Sequence, residues 1–366
     1  MTTKLPVFFE RLNDPRRDLS KLHSLNDILL IGILSVLSGA NTWNEMEAYA
    51  IAKEEFLRKF LDLENGIPSH DTFNRVFSSI DSVQFEHVFV QWVSSLAKLI
   101  KGQVVAIDGK TIRGAKSHGK KSNIHMVSAR ASRNNMVLGQ VKTEEKSNEI
   151  TAIPQLLDIL ELEGTIITID AMGTQTEIAK SIIDNKADYI LAVKENQKQL
   201  YQDIKDEFRF SKGMESYTDT ELDHGRIETR NRSIISKFEF ISPDNKWVNL
   251  KQIIRIESVR EFKNSNKRIE KATRYYITSL KDSAKNYQQF IREHWGVENK
   301  LHWTLDVAFL EDASRKRNMN AVQNFSILSK IALNLLKNDN SFKIGIKGKR
   351  LRAGWDNQYL LKILNL

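Results

Sequence analysis

The chain has no cysteine among its 366 residues. Disulfides and thiolate zinc sites are therefore excluded, and a reducing compartment fits. A long apolar run is also missing. The longest, Ile28 to Ala40, covers about thirteen residues, short of the roughly twenty that a spanning helix needs. We expect a buried core helix there and no membrane segment. The opening stretch MTTKLPVFFERLNDPRRDLSK has no apolar core of the secretory type. The expected location is the cytoplasm. There is no internal repeat and no low-complexity tract. A phosphate-cradling loop is lacking too. VVAIDGKTIRGAK (104–116) comes near a P-loop, but if Gly109 is the second glycine the first falls on Val104. If Gly109 is the first, Ala115 separates Gly114 from Lys116. No nucleotide cofactor is expected.

What the chain does have is positive charge. Its 55 Lys and Arg exceed its 46 Asp and Glu, for a net +9. That balance favours an anionic partner, and nucleic acid is the commonest one. The length allows two or three domains with a full-sized core.

Residues 1–98 read as an all-helical domain. Ser24 can cap a helix through Gly39, TWNEMEAYAIAKEEFLRKFL reads as one helix, and Ser69 can cap another over HDTFNRVFSSI. That last segment, with its preceding turn, has a helix-turn-helix outline and is either a DNA-reading element or plain packing. From Gln103 the pattern changes. QVVAID, NIHMVSARA and NMVLGQVKT read as strands; IPQLLDILELEG as a helix; TIITIDA as a strand; TEIAKSIIDNKA as a helix; DYILAVKEN as a strand. Three strands, helix, strand, helix, strand is the order of a ribonuclease-H-like core in an α/β (α+β mixed) chain. Residues 99–340 are assigned to this catalytic domain. A largely β insertion is expected at about 211–280, with helices resuming near Ser283. The tail, 341–366, is basic and expected at the surface.

In that fold the first and fourth strands are neighbours, so Asp108 and Asp170 would converge. A third acid should follow the insertion on a helix. Glu298 is the candidate: Ile291, His294, Trp295, Leu301, His302 and Leu305 lie three, four or seven residues away. An unpaired carboxylate in such an apolar stripe is costly unless paired, protonated or on a metal. Three oxygen-donor acids and no cysteine point to Mg²⁺ or Mn²⁺, in a pair that bridges acids and scissile phosphate. Each acid has a plainer explanation. Asp108 can be a turn residue, Asp170 a helix N-cap, and Glu298 a partner of His294 or His302. Glu311 and Asp312 are rival third acids. Lys110 and Arg113 are placed to hold phosphate or to form a solvated face. Lys194, Asn196 and Gln197 end a strand beside the acids. Arg292 and His302 flank Glu298, and Arg315 and Arg317 in SRKR suit backbone phosphates. Trp295 and Trp303 read as core rather than as base-stacking wedges.

AIDGKTIRGA, ITIDAMGTQ, LAVKENQ, DHGRIETR and HWGVENKLHWTLDVAFLEDASRKR together resemble the motifs of bacterial insertion-sequence transposases of the H-repeat-associated type, in the cut-and-paste DDE superfamily. DPRRDLSKLHSLNDILLIGILSVLSGANTWNEM, PSHDTFNRVF and KRLRAGWDNQYLLKIL extend the resemblance over nearly the whole chain. It implies a triad of Asp108, Asp170 and Glu298, cleavage at element ends, and transfer of the 3′-hydroxyl into target DNA. It implies an N-terminal domain that helps recognise the ends, DNA roles for His224, Arg226 and Arg230, and self-association in a synaptic complex. The superfamily's tyrosine, arginine and lysine around the third acid fall here on Ile291, His294 and Leu305, so that signature is degenerate. Two alternatives stand beside this reading: a ribonuclease-H-like nuclease without strand transfer, and a decayed or domesticated DNA-binding protein.

Overall fold

The structure, a computed structural model, describes residues 5–18, 21–96, 99–114, 124–143, 149–223, 225–242, 246–262 and 268–364. His224 lies outside the described residues.

Six helices come first: α1 (Leu5–Phe9), α2 (Leu25–Leu37), α3 (Trp43–Ala52), α4 (Glu54–Leu57), α5 (His70–Ser79) and α6 (Ser82–Leu96). Three of their starts are set by side-chain caps. Ser24 accepts the Asp27 N–H, Ser69 accepts the Thr72 N–H, and Thr42 with Glu45 forms a reciprocal capping box. The single helix expected over residues 42–61 is in fact two, broken at Lys53. Then come β1 (Val104–Ile112), β2 (Ile124–Ala131), β3 (Val137–Lys142), α7 (Glu149–Ile159), β4 (Ile166–Ile169), α8 (Thr176–Asp184), β5 (Asp188–Val193) and α9 (Lys198–Phe210). Four long strands follow, β6 (Glu215–Asp223), β7 (Arg226–Ile235), β8 (Gln252–Phe262) and β9 (Glu270–Thr278). The chain ends in α10 (Ala284–Val297), a π-helical turn at Glu298–His302, α11 (Trp303–Phe309), α12 (Met319–Asn338), α13 (Ile346–Trp355) and α14 (Asn357–Leu364). None of the described helices is long and apolar enough to cross a membrane.

The chain divides into two compact units. One holds residues 1–98, 109–148 and 298–366, the other 99–108 and 149–297. The first is organised around α12, which packs against α2, α5, α6, β3, α13 and α14. α12 is buried almost all round, as a central helix must be. Two of its buried asparagines donate to backbone carbonyls. Asn324 donates to the carbonyls of Phe77 and Ile80, while Asn334 accepts the Val137 N–H and donates to the Val137 carbonyl, each at 2.8 Å. Residues expected at the surface in the basic tail turn out to be structural. Lys349 and Arg350 on α13 are buried. Arg350 donates to the carbonyls of Val36 and Ala40 and to Asn41 Oδ1, 2.9–3.0 Å away. It thereby satisfies carbonyls that the end of α2 leaves open.

The second unit is a sheet with helices. β1, β4 and β5 run parallel; β5 then pairs with β9, and β9, β8, β7 and β6 continue as an antiparallel meander. The β-rich segment thus extends the same sheet. α10 packs on one face. Tyr287 and Ile291 meet Val104, Ile166 and Ile190 of the parallel strands and Ile234 and Ile254 of the meander.

Candidate active site

The site begins with strand register. Val104 to Ile107 on β1 face Ile166 to Ile169 on β4, one to one. One step further, Asp108 falls opposite Asp170. Side chains alternate along strands. Val104, Ala106 and Asp108 therefore share a face with Ile166 and Thr168, and with Ile190 and Ala192 on β5, and Asp170 follows directly after β4. That is the face α10 covers.

Asp170 leaves the strand into a loop fixed on every side. Its carboxylate accepts the N–H groups of Met172 (3.0 Å) and Gly173 (3.4 Å). Thr174 donates to the Ala192 carbonyl at 2.6 Å, Asn196 to the Ala171 carbonyl at 2.6 Å, and Gln197 to the Thr174 carbonyl at 2.8 Å. Gly173 is required, since a Cβ there would lie 2.5–2.6 Å from the side chains of Ile169 and Ile153. Burial holds the Asp170 carboxyl above the usual aspartate range, and the charge of Glu149 adds to this, while Lys194 and the two N–H donors pull the other way. Behind it, His294 of α10 shares a hydrogen bond with Thr168 at 3.0 Å, and burial pushes its pKa down to about 4. The imidazole is neutral at physiological pH.

Glu298 opens the π-helical turn. It is exposed, not set in an apolar stripe, and makes no hydrogen bond or ion pair with described residues. The alternative of a core-ordering pair with His294 or His302 is thereby removed. Burial also pushes His302 down to about 4. Trp295 and Trp303, expected in the core, are 39% and 62% exposed. Among the described residues no three His, Asp or Glu side chains are grouped to hold a metal ion.

The other anticipated residues fall into four groups. Exposed Asn196 and half-buried Gln197 brace the Asp170 loop, a role that short polar residues after a strand do not announce in sequence. Lys110, Arg230 and Arg292 are occupied by acids of the chain itself. Lys110 contacts Asp306, Glu311 (2.7 Å) and Asp312 (3.5 Å), while Arg230 and Arg292 share Glu221. Arg226 lies half-buried on β7. Arg113, Lys194, Arg315 and Arg317 are exposed. The rival acid Glu311 is buried and doubly engaged, with Lys110 and with Ser326 at 2.9 Å.

Residues 100–335 match the family described as "Transposase DDE domain", and residues 7–93 match "DDE_Tnp_1-associated". The chain belongs to the bacterial insertion-sequence transposases with a DDE domain, of the H-repeat-associated type. It is 45% identical over 350 residues to "Putative transposase YncI" of Escherichia coli O157:H7, covering 93% of this chain and 89% of that protein. It is 39% identical over 368 residues to "H repeat-associated putative transposase YhhI" of Escherichia coli (strain K12), covering 99% and 97%. A solved piggyBac transposase synaptic complex with hairpin DNA aligns at a TM-score of 0.47 and 12% identity, over 96% of this chain and 75% of that one.

Proposed function

We propose that this protein cuts DNA at the ends of its insertion sequence and joins the freed 3′-hydroxyl to target DNA, with Asp108, Asp170 and Glu298 as the acting carboxylates. The observation that carries this reading is the β1–β4 register, which runs to Ile107 and Ile169 and so brings Asp108, within β1, level with Asp170, the residue just past β4. β4 lies parallel between β1 and β5, and the β2–β3 hairpin follows β1 in the chain, which is the order of a ribonuclease-H-like core. The donor set suits a hard divalent cation, since Asp108 and Asp170 are both carboxylates and the half-buried Asp170 pairs with no cationic side chain at hydrogen-bond distance among the described residues. Asp108, Asp170 and Glu298 would hold Mg²⁺ or Mn²⁺, two ions in all. When bound, such ions activate the attacking oxygen and stabilise the leaving one in phosphoryl transfer. The chain's own residues supply the rest. Asn196, Gln197 and Thr174 fix the backbone that presents Asp170. Neutral His294 lies beneath without adding positive charge. Exposed basic residues draw the phosphate backbone in. Two element ends are cut together, so the acting form is a self-associated complex on double-stranded DNA in the bacterial nucleoid.

The test uses a supercoiled plasmid that carries the gene with its genomic flanks. Purified protein with Mg²⁺ should cut at the element borders and give joined products; EDTA or Asp108→Ala should abolish both. Cut ends without joined product would make the protein a nuclease. Binding without cutting, in a gel shift on the same DNA, would make it a non-catalytic DNA-binding protein.

A further inference from the structure

The basic residues of this protein divide by what occupies them. Lys110 sits among three acids, Arg230 and Arg292 share Glu221, and Arg350 caps α2. Arg315 and Arg317 are exposed and make no hydrogen bond or ion pair with described residues. Both line a groove of about 490 Å³ in the first unit, with Trp43, Asn44, Asn74 and Asn318 among its other walls. No carboxylate lines it among the described residues. Lys316, between the two arginines, also lines the groove, but its ammonium is engaged by the protein itself. It is buried over the Phe325 ring, 3.3 Å from its centroid, and donates to the Asn41 carbonyl at 3.0 Å. This anchor holds its neighbours outward. Opposite them, Asn44 begins α3 and Asn74 lies on the exposed side of α5. Both side chains are exposed, and neither amide bonds to a described residue.

We propose that this groove grips one strand of DNA, with Arg315 and Arg317 on backbone phosphates and Asn44 and Asn74 on base edges. The proposal rests on the DNA reading above and names the surface of the first unit that does the holding. Unpaired guanidinium groups in a groove that no described carboxylate lines are the donors that phosphates require. A carboxamide offers a donor and an acceptor side by side, the pattern that matches an adenine edge. The volume lies within the roughly 300–1,000 Å³ of sites that take molecules of nucleotide size. A helix packed by Phe73, Val76 and Phe77 gives Asn74 a rigid mount.

The experiment is fluorescence anisotropy of the full chain on labelled duplexes, one of the element end and one scrambled, over a range of salt. The double variant Arg315→Ala, Arg317→Ala should weaken binding to both duplexes alike and reduce the salt slope by about two. The double variant Asn44→Ala, Asn74→Ala should cut the preference for the end duplex about tenfold and leave the slope unchanged. All four side chains are exposed, so melting temperatures should stay at the wild-type value. As a second check, the charge reversal Arg315→Glu, Arg317→Glu should lower affinity further than the alanine pair. Unchanged affinity and slope in the arginine variants would overturn the proposal, as would an acidic peptide that competes as well as DNA. Wild type that binds the end duplex but never cuts would sink the cleavage reading and leave the groove intact.

Discussion

Half-buried Asp170 and buried Glu311 are two acids that the protein treats in opposite ways. Glu311, in the first unit, is embedded in a polar network. Lys110 and Ser326 bond to it, Ser326 also donates to Gln140 at 3.0 Å, and Lys330 reaches Gln140 and Ser326. Burial pushes the Glu311 carboxyl up, but Lys330 and Lys110 outweigh that and hold it below the usual range. Glu86 completes the network by accepting the Gln140 N–H at 2.7 Å, and burial raises its pKa to about 8. Asp170, in the second unit, is held by backbone N–H groups, and burial and Glu149 keep its carboxyl above the usual range. An acid that already has its lysines orders a core. An acid fixed in place but short of positive charge is prepared for a cation from outside. The comparison supports Asp170 as a catalytic carboxylate and argues against Glu311 as one.

Three experiments can break or sharpen it. The largest effect should be on cleavage. Asp170→Asn should lower it by about a thousandfold or more, the several kcal/mol that a lost metal carboxylate costs, while gel shifts show DNA binding intact. Folded Glu311→Gln should still cut. A dead Glu311→Gln beside an active Asp170→Asn would reverse the two roles.

Stability should move the other way. Lys330→Met leaves buried Glu311 with less compensation and should cost about 3–5 kcal/mol in denaturant unfolding. Asp170→Asn should raise the melting temperature at pH 7, because it removes a charge that folding disfavours. The pH dependence follows from the signs. The folded pKa of Asp170 lies above its unfolded value, so its penalty is full at neutral pH. Below about pH 4 the group is protonated in both states, and the gain from Asp170→Asn should vanish. The folded pKa of Glu311 is depressed, so its contribution is present above the unfolded value and lost as pH falls through the folded one. The deficit of Glu311→Gln should therefore shrink in acid. A gain in Asp170→Asn and a deficit in Glu311→Gln that are both flat with pH would show that the electrostatic contrast does not exist.

The smallest effect should be a rise of a few degrees in wild-type melting temperature on adding Mn²⁺ or Mg²⁺, since a ligand that binds only the folded state stabilises it. Asp108→Ala should lose that rise, and Glu311→Gln should keep it. A rise of equal size in all three proteins would place the ion elsewhere.

Much of this was legible in the residues. VVAI, IITI and YILAV read as buried strands because apolar runs of that length between turn signals have few other uses. Ser24 and Ser69 announced their helices because a capping hydroxyl acts within three residues. The break at Lys53 was not visible, since no glycine or proline marks it. The burial of Lys349 and Arg350 was hidden for a different reason. A basic stretch reads as surface until the carbonyls at the end of α2, more than 300 positions away, are found beneath it. Asn196 and Gln197 looked like groups waiting for substrate, and they serve the Asp170 loop.

The sequence by itself settled the absence of thiol chemistry, the basic balance, the buried apolar runs that lead into Asp108 and Asp170, and the family. Those properties depend on composition, on local periodicity and on motifs within a few residues. The tertiary structure alone decided which charges are already spent. Lys110 meets Glu311 from 201 positions away, and Arg230 and Arg292 meet on one glutamate. Whether a charged group is free to act depends on the field of its neighbours, and folding chooses those neighbours from the whole length of the chain.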